Sequence, residues 1–490
     1  MNRNDNKNDT KTKKLNEIEV TNPYLSLDAE FYDKVQPSPL VKPHLIHVNK
    51  TVAKQLGIDE SELECEDFVK LLNGEFLLKG AEPFAMCYAG HQFGHFVPRL
   101  GDGRAINIGM IDKYQLQLKG AGETEYSRSG DGRAVLRSSI REYLMSEAMT
   151  NLRIPTTLCL GLIGSEHSVY RERVETGAIA CRVSSSWVRF GTFEYFAAHG
   201  MFEELKALAD YVIDESFPHI KGKPDPYKLL FNEVMVITCR LMAQWMSVGF
   251  NHGVMNTDNM SIAGLTIDYG PFAFLDDFRH DNVCNHTDTG GRYSYRNQPA
   301  VAKWNLQALM KALSPLTPIE GMEKLLDLYD RVYVRYTHYY MCKKLGLEGT
   351  VIGDPELIDD MYDMLEQLQV DYTVFLRTLS HFEHKGDRSD LLALGMYHEP
   401  MNKWLDVYDE RIQYIDKTER KKQMLNVNPK YVLKNYMLQE AIDLAESGDF
   451  SMVDDLFKLA KQPFEEHEEF ERWAKPTPKA FKNQKLSCSS

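Results

Sequence analysis

A change of hydrophobic period near Trp187 most constrains what this 490-residue chain can fold into. Before it, "YQLQLKGAG" sets Leu116 and Leu118 in alternation with Gln115 and Gln117, the two-residue period of a half-buried strand. "RLGDGRAINIGM", "TTLCLGLI", "HSVYRERV" and "GAIACRVSSS" read as further strands. One amphipathic helix stands among them, "GRAVLRSSIREYLMSEAMTNL", with Val135, Leu136, Ile140, Leu144 and Ala148 at helical spacing. After Trp187 the pattern is helical. "YKLLFNEVMVITCRLMAQWMSVGF" is apolar enough for the centre of a helical lobe. "AVAKWNLQALMKALSPL", "MEKLLDLYDRVYVRYTHYYMCKKL" and "PKYVLKNYMLQEAIDLAESGDFSMVDDLFKLAK" carry helix on to about Lys461, and a proline-broken basic tail, "RWAKPTPKAFKNQKLSCSS", follows. Strands followed by helices predict an α+β chain. The expected divisions are a disordered polar tail at 1–22, a strand-rich lobe at 23–186, a helical lobe at 187–430 and a helical extension with its tail at 431–490.

The net charge of −14 argues against a nucleic-acid or anionic-membrane binder, which needs a basic face. A phosphate site here has to be a local basic pocket. No apolar run is long enough to span a bilayer and no signal-peptide core is visible, so a cytoplasmic, bacterial protein is expected, acting as a monomer. The eight cysteines include no CxxC pair, so thiolate metal sites are not expected. Cys488, in "LSCSS", differs because a thiol on a flexible tail can reach a partner that a core thiol cannot.

The chemistry concentrates in a few stretches. Gly101 and Gly103 flank Asp102 between two strand-like runs. A side-chain-free hairpin tip there lets backbone N–H groups approach phosphate oxygens beside Arg104, although a plain turn explains the pattern too. Lys119 ends an alternating strand and Glu142 lies on the next helix. Lys119 alone reads as a solvated strand end, but in this order the two match the Lys–Glu pair that positions nucleotide phosphates in kinases. Asp131 and Gly132 sit at the expected helix start, where an anion is favoured and where Ser129 or Asp131 could equally be a cap. Arg182 and Arg189 bracket "VSSSWV" as phosphate forks or as partners of surface acids. In "HGVMNTDNMSIAGLTIDYG", Asn259 and Asp268 are oxygen donors joined by residues that read as a tight β-hairpin, suited to a divalent metal on a nucleotide. Val254 stands where a kinase loop carries its catalytic Asp, which leaves Asp258 as the nearby carboxylate able to take a proton. His91 and His95 have His-x-x-x-His spacing, but they lack a third ligand and Gly94 disfavours a helix, so a structural role is expected. "HTDTGGRYS" reads as a surface loop.

"YAGHQFGHF", "LGDGRA", "LKGAGETEYSRSGDGRAVLRSSIREYLMSEAM", "HGVMNTDNMSIAGLTIDYGPF", "CNHTDTGGRYSYRNQP" and the ending "CSS" together resemble the selenoprotein O family, also called the YdiU family, from about Pro23 to Ser490. The resemblance implies a protein-kinase-like bilobal fold without the usual catalytic Asp, binding ATP reversed so that the α-phosphate faces the acceptor. It implies transfer of AMP from ATP, or UMP from UTP, to Ser, Thr or Tyr hydroxyls of proteins, with Mg2+ or Mn2+. On the matching positions, Gly101, Gly103, Arg104, Lys119, Asp131, Gly132, Arg182 and Arg189 would contact the nucleotide and Glu142 would pair with Lys119. Asn259 and Asp268 would hold the metal, and Asp258 would accept the proton. It also implies a redox disulfide between Cys284 and Cys488. A γ-phosphoryl-transferring kinase and a non-catalytic nucleotide-binding scaffold are the rival readings.

Overall fold

A computed structural model describes residues 12–482 and 484–486. These fall into two compact units, both containing segments distant in sequence. The first takes in the described residues up to Tyr88, Arg99–Ser139 and Thr157–Trp187; the second takes in Ala89–Pro98, Ile140–Thr156 and the described residues from Val188 onward. The chain is α+β, with the main sheet in the first unit and most helix in the second.

The sheet is built from β1 (Tyr32–Lys34), β2 (His44–Val48), β3 (Phe84–Met86), β4 (Ala105–Ile111), β5 (Tyr114–Lys119), β6 (Ala134–Val135), β7 (Leu158–Tyr170) and β8 (Val174–Ser184). Its order is β1-β3-β4-β5-β8-β7-β2, with β6 paired to β8, and every pairing is antiparallel. Most of "TTLCLGLI" and the first half of "HSVYRERV", expected as two strands, form the single long β7. One face buries Ile106, Leu116, Leu118, Cys181 and Val183 in a core shared with Phe68, Leu71 and Leu72 of the helix Glu66–Asn73. Alternation correctly assigns the leucines to that face, but the glutamine face is buried as well. Asn107, Gln117 and Arg182 lie in register across β4, β5 and β8. The Gln117 amide donates to Asp102 Oδ2 at 3.2 Å and Asn107 Oδ1 at 3.3 Å, and its carbonyl accepts from Arg182. A polar ladder can be buried this way because its members satisfy one another.

The disordered segment expected through residue 22 does not hold for residues 12–22. Leu15, Ile18 and Val20 are buried in the first-unit core. Val20 N donates to Lys79 O at 2.8 Å, and Thr21 exchanges backbone bonds with Met110 at 3.1 and 2.7 Å. Three apolar side chains in a polar stretch suffice to dock it. Residues 1–11 lie outside the described residues.

In the second unit, Pro226 opens the helix Pro226–Ser247, whose missing N–H costs nothing at that position. Phe231, Val234, Met235, Leu241, Met242 and Trp245 of this helix are buried, as its apolar sequence predicts. "MEKLLDLYDRVYVRYTHYYMCKKL" is helical as expected and forms two helices, Ile319–Leu326 and Tyr329–Leu345. A second core gathers Leu365, Phe375, Trp404, Leu405 and Tyr408. Among the described residues no helix is long and apolar enough to cross a membrane.

Candidate functional site

In the first unit the glycine pair is not a hairpin tip. The β4–β5 hairpin turns at Asp112–Lys113, and Gly101–Gly103 instead precede β4. Asp102 points inward: its N–H donates to Met86 O at 2.9 Å and its carboxylate accepts from Met86 N at 3.2 Å. The glycines are needed for close packing, since a Cβ at Gly101 would meet the Tyr126 ring at 2.3 Å and one at Gly103 would meet Tyr126 O at 2.7 Å. Arg104 is exposed. Lys119, at the end of β5, is buried and not a solvated strand end. Arg182 is fully buried, with its guanidinium 4.6 Å from the Trp187 ring centroid.

The helix expected from Gly132 begins at Leu136, with β6 intervening, so neither Ser129 nor Asp131 caps it. Asp131 instead takes both Arg171 guanidinium arms at 2.8 Å and the Arg133 N–H at 3.0 Å, and Arg171 holds its carboxyl below the usual range. Gly132 has φ +63°, and a Cβ there would lie 2.0 Å from Gly122 O. Gly132→Ala is therefore expected to lower stability by at least about 1–2 kcal/mol from the left-handed backbone alone. Urea denaturation measures this, and an unchanged midpoint would refute the account.

In the second unit, residues 252–272 form an excursion closed at its base by the antiparallel pairs Phe250–Phe274 and Asn251–Ala273. The expected β-hairpin inside it is absent. Ser261 pairs with Arg189 and Thr266 with Thr156, so each edge is satisfied by a distant segment. A short helical turn, Thr257–Asn259, occupies the centre. Several residues there are pinned from outside the loop. His252 stacks on Trp245 with centroids 5.2 Å apart, and its Nε2 lies 2.9 Å from Ile267 O. Met255 O accepts from Asn305 at 2.9 Å. Asn256 Oδ1 accepts from Tyr293 OH at 2.6 Å and Phe93 N at 3.1 Å. Thr257 Oγ1 accepts from His91 N at 2.7 Å.

Asp258 is buried, and its Oδ2 accepts from Gln92 Nε2 at 3.3 Å. Its Oδ1 makes no hydrogen bond among the described residues. Burial pushes its carboxyl up to about 6, against the opposing charge of Arg189. Asn259 Nδ2 donates to Val254 O at 3.2 Å. Arg189 ties the two arms of the loop together: Nη1 donates to Asp258 O at 2.7 Å and to the Asp268 carboxylate. Asp268 holds φ +56°, a conformation that Asp and Asn tolerate better than most residues.

Of the residues singled out from sequence, the second unit thus gathers Arg189, Asp258, Asn259 and Asp268. The sequence reading missed their supports, Gln92, Asn256, Thr257, Tyr293 and the pair His91–Glu194. His91 Nδ1 lies 2.5 Å from Glu194 Oε1, which gives His91 the expected structural role on the two-stranded Gly90–Val97 turn. "HTDTGGRYS" is not simply a surface loop: Asp288 and Tyr293 are buried, and Asp288 accepts from the N–H groups of Arg292 and Tyr293 at 2.9 and 2.8 Å.

A family model described as Protein adenylyltransferase SelO matches residues 14–461. The chain belongs to the SelO family. Protein nucleotidyltransferase YdiU of Myxococcus xanthus is 46% identical over 486 residues, covering 97% of this chain and 99% of the relative. The same-named proteins of Aliivibrio fischeri and Photobacterium profundum are 45% and 42% identical, covering 97% and 98% of this chain and 99% and 100% of theirs. For a SelO-family chain the donor set can be tested against a divalent cation. Asn259 carries an amide oxygen and Asp268 a carboxylate that already accepts from Arg189, hard oxygen donors of a kind compatible with Mg2+ or Mn2+.

Proposed function

We propose that the chain moves AMP from ATP, or UMP from UTP, onto Ser, Thr or Tyr hydroxyls of proteins and releases pyrophosphate. Protein nucleotidyltransfer is the activity named for the family and its relatives, and it is the activity of this chain. The supporting observation is Asp258, a buried carboxylate with one oxygen not hydrogen-bonded, four residues after Val254. Asp258 takes the acceptor proton as the hydroxyl oxygen bonds to the α-phosphorus and the bond to pyrophosphate breaks. General-base help is typically worth only about 10²–10⁴-fold, so fixed cations around the phosphates carry much of the catalysis.

In this reading Gly101, Gly103, Arg104, Lys119, Asp131, Gly132, Arg182 and Arg189 contact the nucleotide, and Glu142 pairs with Lys119. Asn259 and Asp268 hold Mg2+ or Mn2+, which when bound neutralises charge on the triphosphate. The fold is read as protein-kinase-like, with lobes at 23–186 and 187–430 and an extension at 431–490. The protein is read as a cytoplasmic monomer without nucleic-acid or membrane partners. ATP labelled at the α- or γ-phosphate tests the assignment. Label from the α position on an acceptor protein supports it; label from γ makes the chain a kinase, and binding without transfer makes it a scaffold.

The redox expectation joins Cys284 to Cys488, which lies outside the described residues. Its support is the course of the preceding tail. Thr477 Oγ1 donates to Asp276 at 2.5 Å, Lys482 Nζ lies 2.7 Å from both Asp277 oxygens, and Leu486 N donates to Cys284 O at 2.9 Å. Cys284 touches the excursion that carries Asp258, since its Sγ donates to Asn251 O at 3.6 Å and would lie 2.7 Å from a Cβ at Gly253. Oxidation of both thiols, with loss of two protons and two electrons to a disulfide oxidant, would fasten the tail against that loop. Transfer is expected to rise several-fold with reductant in the wild type, and this response should vanish in Cys488→Ser. Equal activity of the wild type with and without reductant would refute it.

A further inference from the structure

A cluster far from Asp258 in sequence has the donors of a transition-metal site. His338 and Cys342 lie one turn apart on the helix Tyr329–Leu345, on the same face. Asp354 opens the helix Asp354–Leu368. One potential ligand atom from each residue lies within 4.8 Å of the other two. Cys342 Sγ is 3.4 Å from His338 Nε2. That matches the tetrahedral edge of roughly 3.5 Å implied by Zn–S of about 2.3 Å and Zn–N of about 2.0–2.1 Å. The Asp354 side chain is buried and already oriented: Oδ1 accepts from Arg411 Nε at 2.6 Å, and Oδ2 accepts from Val351 N at 2.9 Å and Arg411 Nη2 at 3.3 Å. Outer-shell donors fix metal-bound carboxylates in this manner.

We propose that His338, Cys342 and Asp354 bind a zinc-class divalent metal, fastening the helix Tyr329–Leu345 to the start of Asp354–Leu368. Binding replaces the Cys342 S–H bond with a metal–sulfur bond and gives the proton to solvent. The positive charge of Arg411 opposes a cation, so the thiolate and carboxylate together are required. His338 is only half-buried, which leaves water access to a fourth position. One thiolate, one imidazole and one carboxylate select Zn2+ or Co2+ over Mg2+, so this site does not compete for the cation assigned to Asn259 and Asp268.

Chelator-stripped full-length protein titrated with Co2+ tests the site. One equivalent is expected to raise a thiolate-to-cobalt charge-transfer band, which Zn2+ then abolishes while raising the thermal midpoint. Cys342→Ser should lose the band, Cys65→Ser should keep it, and His338→Gln should weaken Co2+ binding at least about 10-fold. His338 is part-exposed, so His338→Gln serves as the folded variant should Cys342→Ser fail by circular dichroism. Absence of the band in the wild type, its survival in Cys342→Ser, or unchanged Co2+ affinity in His338→Gln would reduce the cluster to a thiol–imidazole hydrogen bond and overturn the proposal.

Discussion

Asp268→Asn is expected to cut nucleotide transfer by about 10³-fold while leaving the fold nearly intact. The substitution removes the negative charge that the proposed cation would meet but keeps an oxygen that can accept from Arg189. Asparagine also tolerates the left-handed backbone at this position, φ +56°. Asp268→Ala should lose transfer as fully and fold less well. It takes the carboxylate acceptor from a buried guanidinium, a loss of about 1–3 kcal/mol, and places alanine in the left-handed region. Arg189 also holds the Asp258 carbonyl, so the alanine variant loosens the loop around the proposed base. Comparing the two variants separates metal binding from loop support. Transfer by Asp268→Asn within a few-fold of wild type, at saturating Mg2+ or Mn2+, would remove Asp268 from the metal site.

The largest stability effect is expected at Lys434. Its ammonium pairs with Asp371, and both side chains are almost wholly buried. Asp371 caps the helix Tyr372–Leu379 through Val374 N at 3.1 Å. Lys434→Met keeps much of the side-chain volume but leaves a buried carboxylate without its counter-ion, which costs about 3–5 kcal/mol. Adding Asp371→Asn should restore a large part of this, because the amide keeps a capping oxygen and carries no charge. Urea denaturation of the two single variants and the double variant reads the coupling. A loss below about 1 kcal/mol in Lys434→Met, or additive losses in the double variant, would show that the pair is not the buried charge couple described.

Legibility in the sequence followed the range of the interactions. The helix Pro226–Ser247 and the leucine face of β5 were readable because periodicity records one-sided burial directly. Asp258, Asn259 and Asp268 stood out as candidates because they are oxygen donors close together in sequence. Their supports did not. Gln92, His91 and Phe93 reach residues 256–258 across more than 160 positions, and no local pattern announces such a contact. The glutamines of β5 looked solvent-facing because alternation cannot distinguish water from a partner on the neighbouring strand.

The amino-acid order alone determined the α+β class, the helices of the second unit and the family resemblance. These are properties of local pattern and residue identity. Only the tertiary structure decided that Asp102 turns inward, that residues 12–22 dock through three apolar side chains, and that residues 261 and 266 pair with Arg189 and Thr156 instead of each other. A buried polar group or a short strand edge takes whichever partner satisfies it, and which partner comes within reach is a property of the packed chain.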